Sequence, residues 1–551
     1  MSDFWYKNAV IYGVDIGTFL DSDGDGVGDF GGLTRRLDYL EGLGVTCLWV
    51  LPFFRTPNRD NGYDVADFLA VDPRHGDLGD FVEFLREAKS RGMRVMIDLV
   101  VEHTSDQHPW FQAARRDRDS PYRDFYIWVD DPPEERKHQP IFPGVEEDVW
   151  RWDEEAGQYY FHTFYHFQPS LNHANPRVRE EVKKIIGFWL QLGVDAMRVD
   201  AASHMIEAKG GQQIPDPHGI LQEYYHFAYR RRGEVAFMGE SDVEASRLAE
   251  FFGRGDELQM LMNFLLNNYI WLALARGEAE PLVRAMRLIP RKPPEAQWVN
   301  FLRNLDEVDL ERLTEAERQE VYAAFAPREE MRIYGRGIRR RLAPMLGGDR
   351  KRIELAFSLL LSLPGAPMIV YGDEIGLGED LSLPERQSVR TVMQWSDDPN
   401  GGFSVADADE LAMPTVKKGK FAYRKVNVAA QELERDSLLF WLERAIRTRR
   451  ECPEFGWGES SVVEVKHPAV FAHRADWGPN TLIAVHNLGA EPAEVVLDIS
   501  EDDPDHIVDV LGDCLYDAVN GGEHRVRLEG YGYRWFRLGA MRVRKERRKG
   551  G

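Results

Sequence analysis

Three short segments of the sequence each place an acidic residue at the end of an apolar, strand-like run. Asp200 ends the segment Asp195-Ala-Met-Arg-Val-Asp200, Glu240 ends Ala236-Phe-Met-Gly-Glu240, and Asp306 ends Phe301-Leu-Arg-Asn-Leu-Asp306. Cleavage of a glycosidic bond requires two carboxyl groups that face the same bond, and a third can assist them. The three acids together therefore favour an enzyme that acts on sugars.

The residues next to these acids favour different protonation states for two of them. Arg198 lies two residues before Asp200, so the two side chains point to the same side of a strand. A guanidinium beside a carboxyl group keeps it ionised, as a nucleophile must be. Glu240 follows the apolar segment Phe237-Met-Gly, which would raise its pKa and keep it protonated as a general acid. The alternative is that Arg198 and Asp200 form an ordinary surface ion pair and that the acids only lie on the rim of the fold.

Apolar, β-branched runs alternate with amphipathic helical patterns along most of the chain. The predicted strands are 9–14, 46–51, 94–101, 195–201, 235–240, 258–264, 297–303 and 367–371. Eight strands with intervening helices predict a (β/α)8 TIM barrel, although a doubly wound open sheet would also alternate. The barrel is favoured because the acids follow several different strands, and the loops at the carboxyl ends of barrel strands build the active site.

Two stretches break this alternation and define the predicted domain organisation. Residues 104–172 are rich in aromatic residues, Pro and Asp without helical periodicity, which predicts a small inserted domain after the third strand. Short alternating runs from 455 to 540 predict a C-terminal antiparallel β-sandwich. The catalytic barrel would then comprise 1–103 and 173–454, and a basic tail would cover 541–551.

The composition argues against several classes of partner. The 551 residues carry a formal net charge of −23, which disfavours nucleic acid and anionic membranes and fits a neutral small-molecule sugar. We find neither an apolar run of about 18 residues nor an apolar signal core at the N-terminus. Three widely separated cysteines predict no disulfide framework and hence a cytoplasmic protein. The sequence leaves the oligomeric state open.

Five segments contain the acids together with His, Asn and Arg residues. They are Asp98-Leu-Val-Val-Glu-His103, Gln168-Pro-Ser-Leu-Asn172, Arg198-Val-Asp-Ala-Ala-Ser-His204, Gly239-Glu240 and Asn304-Leu-Asp306. They resemble the five characteristic regions of the α-amylase superfamily, glycoside hydrolase family 13. The resemblance implies that Asp200 is the nucleophile, that Glu240 is the general acid/base, and that Asp306 stabilises the transition state.

The same resemblance implies which side chains bind the sugar. They are Asp60, Tyr63, His103, Arg198, His204 and Arg390. The segments Asp60-Asn-Gly-Tyr-Asp64 and Arg390-Thr-Val-Met-Gln-Trp395 resemble those of disaccharide-acting members, in which an Asp and an Arg hold the terminal glucose. For Arg390 the alternative is an ion pair with the acidic stretch Glu379-Asp380.

The resemblance implies a retaining enzyme that transfers or isomerises an α-glucosyl unit of short α-glucosides, with interconversion of maltose and trehalose as the expected reaction. Two alternatives stay open. One is an exo-acting α-glucosidase that hydrolyses disaccharides or other small glucosides. The other, from a different class, is a carbohydrate-binding paralogue with weak catalysis.

The loop Asp21-Ser-Asp-Gly-Asp-Gly-Val-Gly-Asp29 places carboxylates at alternate positions, with glycines for a tight turn. This pattern suits Ca²⁺, and it resembles the calcium loop of family 13 glucosidases. The expected ligands are the side chains of Asp21, Asp23, Asp25 and Asp29 and the carbonyl of Val27. The alternative is an acidic turn that binds no metal. The resemblance implies no organic cofactor.

Three residues depart from the family pattern. Leu305 stands where the family has a His that donates to a sugar hydroxyl, and an unpaired buried hydroxyl costs about 1–3 kcal/mol. Glu102 replaces an Asn, and we expect it to repel Asp200 or to serve a different metal. Val392 replaces a Pro and so frees the backbone. These departures leave open the true substrate, the acceptor and the balance between isomerisation and hydrolysis.

Overall fold

A closed barrel of eight parallel strands forms the centre of the protein. The computed structural model describes residues 4–133, 139–499, 506–512, 514–517 and 523–539. The barrel strands are Ile11–Val14, Cys47–Val50, Arg94–Leu99, Ala196–Val199, Ala236–Gly239, Met260–Met262, Gln297–Phe301 and Ala366–Val370. Each overlaps a predicted strand, so the predicted barrel is confirmed.

The fourth and fifth barrel strands, Ala196–Val199 and Ala236–Gly239, are buried at every position because helices cover the outside of the barrel. Their parallel pairing aligns Val199 with Gly239. Asp200 and Glu240, the next residues along each strand, therefore leave the barrel side by side at its carboxyl end.

Helices connect the strands and surround the barrel. The longer ones are Leu78–Ser90, Pro176–Leu192, Pro217–Tyr229, Phe264–Arg276, Glu280–Leu288, Glu315–Phe325, Arg350–Ser362 and Leu438–Arg450. The shorter ones are Phe30–Arg35, Leu37–Leu43, Ala202–Met205, Ala245–Leu248, Leu342–Met345, Val428–Glu432 and Glu454–Trp457. Within the described ranges, no helix combines the length and apolar character needed to cross a membrane.

Local signals fix where these helices begin and end. Leu78–Ser90 begins with a capping box, in which Asp77 and Asp80 each accept from the backbone N–H of the other. Pro176–Leu192 begins at a Pro and ends at Gly193, whose φ of 116° needs a residue without Cβ.

The inserted domain follows the third barrel strand, as predicted. It contains the helix Pro109–Arg116 and an antiparallel sheet of Trp128–Val129, Trp150–Asp153 and Gln158–Phe161. The sequence pattern did not predict this helix, which begins where the His108 side chain accepts from the N–H of Trp110. Short strands elsewhere around the barrel are Phe54–Arg55, Asp67–Val71, Val308–Asp309, Arg332–Ile333 and Gly337–Ile338.

Two antiparallel sheets form the C-terminal domain, as predicted. The larger contains Glu459–Val463, Val470–Trp477, Asn480–Asn487, His506–Asp509, Cys514–Asp517 and Tyr533–Leu538, and the smaller contains Ala493–Asp498 and Glu523–Leu528. One apolar core, including Val485 from the larger sheet and Leu497 from the smaller, joins them. The predicted basic tail 541–551 lies outside the described residues.

Two histidines are buried where the C-terminal domain packs on the barrel helix Arg350–Ser362. The rings of His473 and His486 are parallel to within 1°, with centroids 6.3 Å apart. Nε2 of His486 lies 3.0 Å from Oγ of Ser358, and both Nδ1 atoms lack a hydrogen-bond partner among the described residues. Burial lowers the pKa of His473 to about 3, and burial together with His473 lowers the pKa of His486 well below its ordinary value.

Acid should weaken the folded state through this pair. The folded pKa values lie below that of an unfolded His, about 6.5, so stability is full above that pH and falls as the pH drops below it. We expect His473→Gln to reduce the loss of Tm between neutral and mildly acidic pH. His226→Gln, at a largely exposed histidine, is the control. An unchanged pH dependence of Tm in His473→Gln would contradict the prediction.

Candidate active site

Arg198 connects acidic side chains from three barrel strands. Its Nη1 donates to Oδ1 of Asp98 at 2.6 Å and to Asp200, and its Nη2 lies 2.9 Å from Oε1 of Glu240. Asp98 is the register partner of Arg198 and also accepts from Nε1 of Trp49 at 2.8 Å. Because Arg198 is only 1% exposed, one desolvated guanidinium holds the three carboxyl groups together.

The backbone directly after Asp200 fixes the position of Glu240. Ala201 has a φ of 46°, in the left-handed region that is unfavourable for a residue with a Cβ. Its N–H donates to Oε2 of Glu240 at 3.2 Å, and the N–H of Ala202 donates to the carbonyl of Glu240 at 2.9 Å. The strained turn thus ties the fourth strand to the acid that follows the fifth.

Asp306 follows the seventh barrel strand and is held by two arginines. Nη2 of Arg390 lies 2.9 Å and Nη1 of Arg386 lies 3.5 Å from Oδ1 of Asp306. Arg390 also donates from Nε to the carbonyl of Leu305 at 3.0 Å. The side chain of Leu305 is buried and belongs to the main apolar core. The sequence missed Arg386, although its spacing of four residues before Arg390 was a usable signal.

The alternative ion pair of Arg390 with the stretch Glu379-Asp380 is wrong. Glu379 pairs with Nη2 of Arg340 at 2.8 Å, and Asp380 accepts from Oγ of Ser382 at 2.6 Å. Nη1 of Arg390 is buried and has no hydrogen-bond partner within the described ranges.

Burial and neighbouring charges set different pKa values for Glu240 and Asp306. Burial raises the pKa of Glu240. The negative charges of Asp200 and Asp306 raise it further, and Arg198 opposes them. Burial also acts to raise the pKa of Asp306, but Arg386, Arg390 and Arg198 outweigh it and lower the pKa to about 2. Glu240 therefore keeps a proton more readily than Asp306 does.

The predicted catalytic and sugar-binding residues meet at one cavity. Those that line it are Asp60, Tyr63, His103, Asp200, His204, Glu240 and Asp306. Arg198 and Arg390 contact its acids from behind. Asp60 accepts from Nε2 of Gln168 at 2.8 Å, and burial raises its pKa to about 7 against the opposing effects of Arg386, Gln168 and Arg390.

The inserted domain closes one side of the cavity and contacts the opposite wall. Further lining residues, which the sequence did not identify, are Ile141, Phe142, Phe164, Asp242, Phe264, Glu307, Asp309, Glu311, Arg336 and Arg386. The hydroxyl of Tyr165 donates to Oε2 of Glu385 at 2.7 Å, and Nη1 of Arg336 donates to the carbonyl of Ile141 at 3.0 Å. These partners are about 200 positions apart in the chain, so sequence pattern alone does not reveal them.

Glu102 is neutralised by its neighbours, and the expectation that it repels Asp200 or serves a different metal is wrong. It is fully buried and accepts from Nζ of Lys209 and, at 2.7 Å, from Oγ1 of Thr163. Its other oxygen lies 3.1 Å from Nδ1 of His103.

The acidic loop near the N-terminus brings together the carboxylates of Asp21, Asp23 and Asp29. Oxygens of all three lie within 4.8 Å of one another, a donor set that suits Ca²⁺. Asp25 lies outside this group and accepts from the N–H of Val27 at 2.8 Å, although the grouped carboxylates also accept from N–H groups of the loop. The residues therefore fit a calcium site in part, with Asp25 turned toward its own backbone.

The chain matches a protein family over most of its length. Residues 16–458 match the model of the alpha amylase catalytic domain. The chain belongs to the α-amylase family, glycoside hydrolase family 13. Residues 480–537 match the model of a sucrose hydrolase-like C-terminal domain. The protein is thus an enzyme of the family 13 type.

Similar proteins include several trehalose synthases. The trehalose synthase of Pimelobacter sp. (strain R48) is 40% identical over 97% of this chain and 96% of its own length. The trehalose synthase/amylase TreS of Mycobacterium tuberculosis (strain CDC 1551 / Oshkosh) is 38% identical over 97% and 90%, respectively. Among solved structures, an inactive double mutant of MutB in complex with isomaltulose has a TM-score of 0.77 at 27% identity, covering 97% of this chain and 99% of that chain.

Removing Arg386 should move the acidic limit of activity to higher pH. Arg386→Met removes a cation that lowers the pKa of Asp306, so Asp306 takes up a proton at a higher pH. We expect kcat/KM to fall more in acid than it does in the wild type, because a rise of about one unit in the pKa of Asp306, equivalent to about 1.4 kcal/mol, lowers its ionised fraction there. Arg312→Met, which removes a cation paired with Asp242 of the cavity wall, is the control. An equal shift in both variants would contradict the assignment.

Proposed function

We propose that this enzyme isomerises short α-glucosides, converting maltose and trehalose into each other by double displacement. The observation that carries the proposal is the pair of carboxyl groups, Asp200 and Glu240, on one buried guanidinium beneath a cavity of which the inserted domain forms one wall. Sequence identity of 40% to a trehalose synthase over 97% of the chain supports disaccharides as the substrates.

In the first step Asp200 attacks the anomeric carbon of the glucosyl unit. Arg198 stabilises the negative charge of Asp200 and orients its oxygen. The bond between the anomeric carbon and the glycosidic oxygen breaks, and that oxygen takes the proton of Glu240. The raised pKa of Glu240 supplies this proton at pH values where an ordinary carboxyl group is ionised.

In the second step Glu240, now a carboxylate, acts as the base. It removes a proton from the anomeric hydroxyl of the released glucose, whose oxygen displaces Asp200 and forms the new disaccharide. Asp306, kept ionised by Arg386 and Arg390, stabilises the positive charge that develops on the sugar ring in both steps. Asp60 lines the cavity and would bind the terminal glucose directly, whereas Arg390 acts on it through Asp306.

The wall that the inserted domain adds to the cavity limits the access of water and so favours transfer over hydrolysis. Water that reached the glucosyl ester would release free glucose, so isomerisation needs a site that excludes bulk water. The contacts of Tyr165 with Glu385 and of Ile141 with Arg336 hold the inserted domain against the far wall. Released glucose can therefore rotate and react before it leaves.

Replacing each central acid should separate their roles. Asp200→Asn should abolish turnover of maltose and trehalose while Tm is preserved, because an amide cannot form the glycosyl ester. Glu240→Gln should lose activity on both disaccharides but retain more activity on a nitrophenyl α-glucoside, whose leaving group needs less protonation. Chromatography of the products distinguishes disaccharide exchange from glucose release. Wild-type rates in Asp200→Asn, or equal losses on both substrate types in Glu240→Gln, would contradict the mechanism.

The acidic loop is proposed as a structural Ca²⁺ site formed by Asp21, Asp23, Asp25, Asp29 and the carbonyl of Val27. Calcium bound to the folded state raises stability by linkage, so chelation should lower Tm. The variant Asp23→Asn should show a smaller response to the chelator, because it lacks one of the grouped carboxylates. Elemental analysis without bound calcium, together with an unchanged Tm after chelation, would remove this proposal.

A further inference from the structure

His103 is held between two hydrogen-bond acceptors. Its Nδ1 lies 3.1 Å from a carboxylate oxygen of Glu102, and its Nε2 lies 3.0 Å from the carbonyl oxygen of Tyr63. A neutral imidazole carries one N–H and one lone pair, so it could satisfy only one of these oxygens. An imidazolium donates to both, and the geometry therefore requires the charged ring.

Glu102 in turn is held by Lys209. The ammonium of Lys209 is 3% exposed and donates to the same carboxylate oxygen that accepts from Oγ1 of Thr163. Three segments meet at this carboxylate. Glu102 and His103 follow the third barrel strand, Thr163 lies within the inserted domain, and Lys209 follows the fourth barrel strand. All three also contribute residues to the cavity, through His103, Phe164 and His204.

We propose that Glu102 holds His103 as an imidazolium beside Asp200 and that Lys209 positions Glu102, an inference that rests on the proposed glucosyl transfer through Asp200. Charges of alternating sign then run from Lys209 through Glu102 and His103 to Asp200. The cationic ring lines the same cavity as the nucleophile, and its charge stabilises the ionised carboxylate of Asp200.

The groups that face His103 support this charge state. Burial alone would lower its pKa, but Glu102, Asp200 and the Tyr63 carbonyl outweigh burial and raise it. From the inserted domain the apolar ring of Phe164 packs against His103, with ring centroids 5.4 Å apart. Burial would likewise raise the pKa of Glu102, yet Lys209 and His103 lower it, so Glu102 stays a carboxylate and takes no proton from His103.

The two positioning residues make opposite predictions for His103. Glu102→Gln removes the neighbouring negative charge and leaves the Lys209 cation, so the pKa of His103 should fall. If the pKa of His103 falls by one unit, the protonated fraction of His103 becomes about tenfold smaller at pH values above the wild-type pKa. Lys209→Met leaves the carboxylate in place without its competing cation, so the pKa of His103 should be unchanged or higher. A role in packing alone would lower Tm in both variants without these opposite shifts.

The direct measurement is a pH titration of the enzyme labelled with ¹⁵N-histidine, followed by NMR, with His103→Asn identifying the resonance. In the wild type we expect His103 to carry both N–H protons at neutral pH. The alkaline limb of kcat/KM on maltose should move to lower pH in Glu102→Gln and should not do so in Lys209→Met. Thr163→Val, which removes a hydrogen bond to Glu102 but no charge, is the matched control and should leave the titration in place.

One result would overturn the inference about His103, and a different result would overturn the proposed function. A neutral His103 in the wild type at neutral pH, or an unshifted titration in Glu102→Gln, would overturn the inference whatever the activity. If the Glu102→Gln protein does not fold, the double variant Glu102→Gln/Lys209→Met, which leaves no uncompensated charge, must still show a lower His103 titration than the wild type. A wild-type enzyme inactive on maltose and trehalose would refute the proposed function, and the NMR titration would still decide the charge of His103.

Discussion

The buried guanidinium of Arg198 allows three carboxyl groups to lie close together at the carboxyl end of the barrel. Parallel pairing of the third, fourth and fifth strands forces Asp98, Asp200 and Glu240 close together, away from solvent that could screen their repulsion. Arg198 contacts all three, and its guanidinium supplies several donors in a fixed plane, which a lysine could not do. The acids therefore share a cation, so each one's charge depends on the other two.

The other buried carboxylates around the cavity are also paired with cations. Asp306 is paired with Arg390 and Arg386, and Glu102 with Lys209 and His103. Leaving any of these carboxylates without its partner would place an uncompensated charge in the interior, which is strongly destabilising. The enzyme thus obtains different proton affinities from chemically similar acids by giving each a different set of cations.

Sequence pattern predicted most of the barrel because its strands are continuous apolar runs and its acids stand at their ends. It failed where a feature depends on distant residues. Glu102 was misread because its charge is balanced by Lys209, which lies 107 positions later in the chain. The individual contacts by which the inserted domain forms a wall of the cavity were equally hidden, since they join separate loops. In the C-terminal domain the alternating runs of the sequence are 461–465, 469–473, 481–485, 494–498, 524–528 and 533–537. The strands His506–Asp509 and Cys514–Asp517 were not predicted, because they are too short for alternation to be distinctive.

The helix Arg350–Ser362 belongs to two domains at once. One face packs within the barrel and leads directly into the eighth strand, while Ser358 meets His486 and Trp535 of the C-terminal sheet. Beyond that strand the chain continues to Arg386 and Arg390, which hold Asp306. The C-terminal sheet is therefore not an interchangeable module. A relative's sheet grafted onto this barrel would have to reproduce the surface that receives Ser358, or the mismatch would reach the catalytic end through the eighth strand.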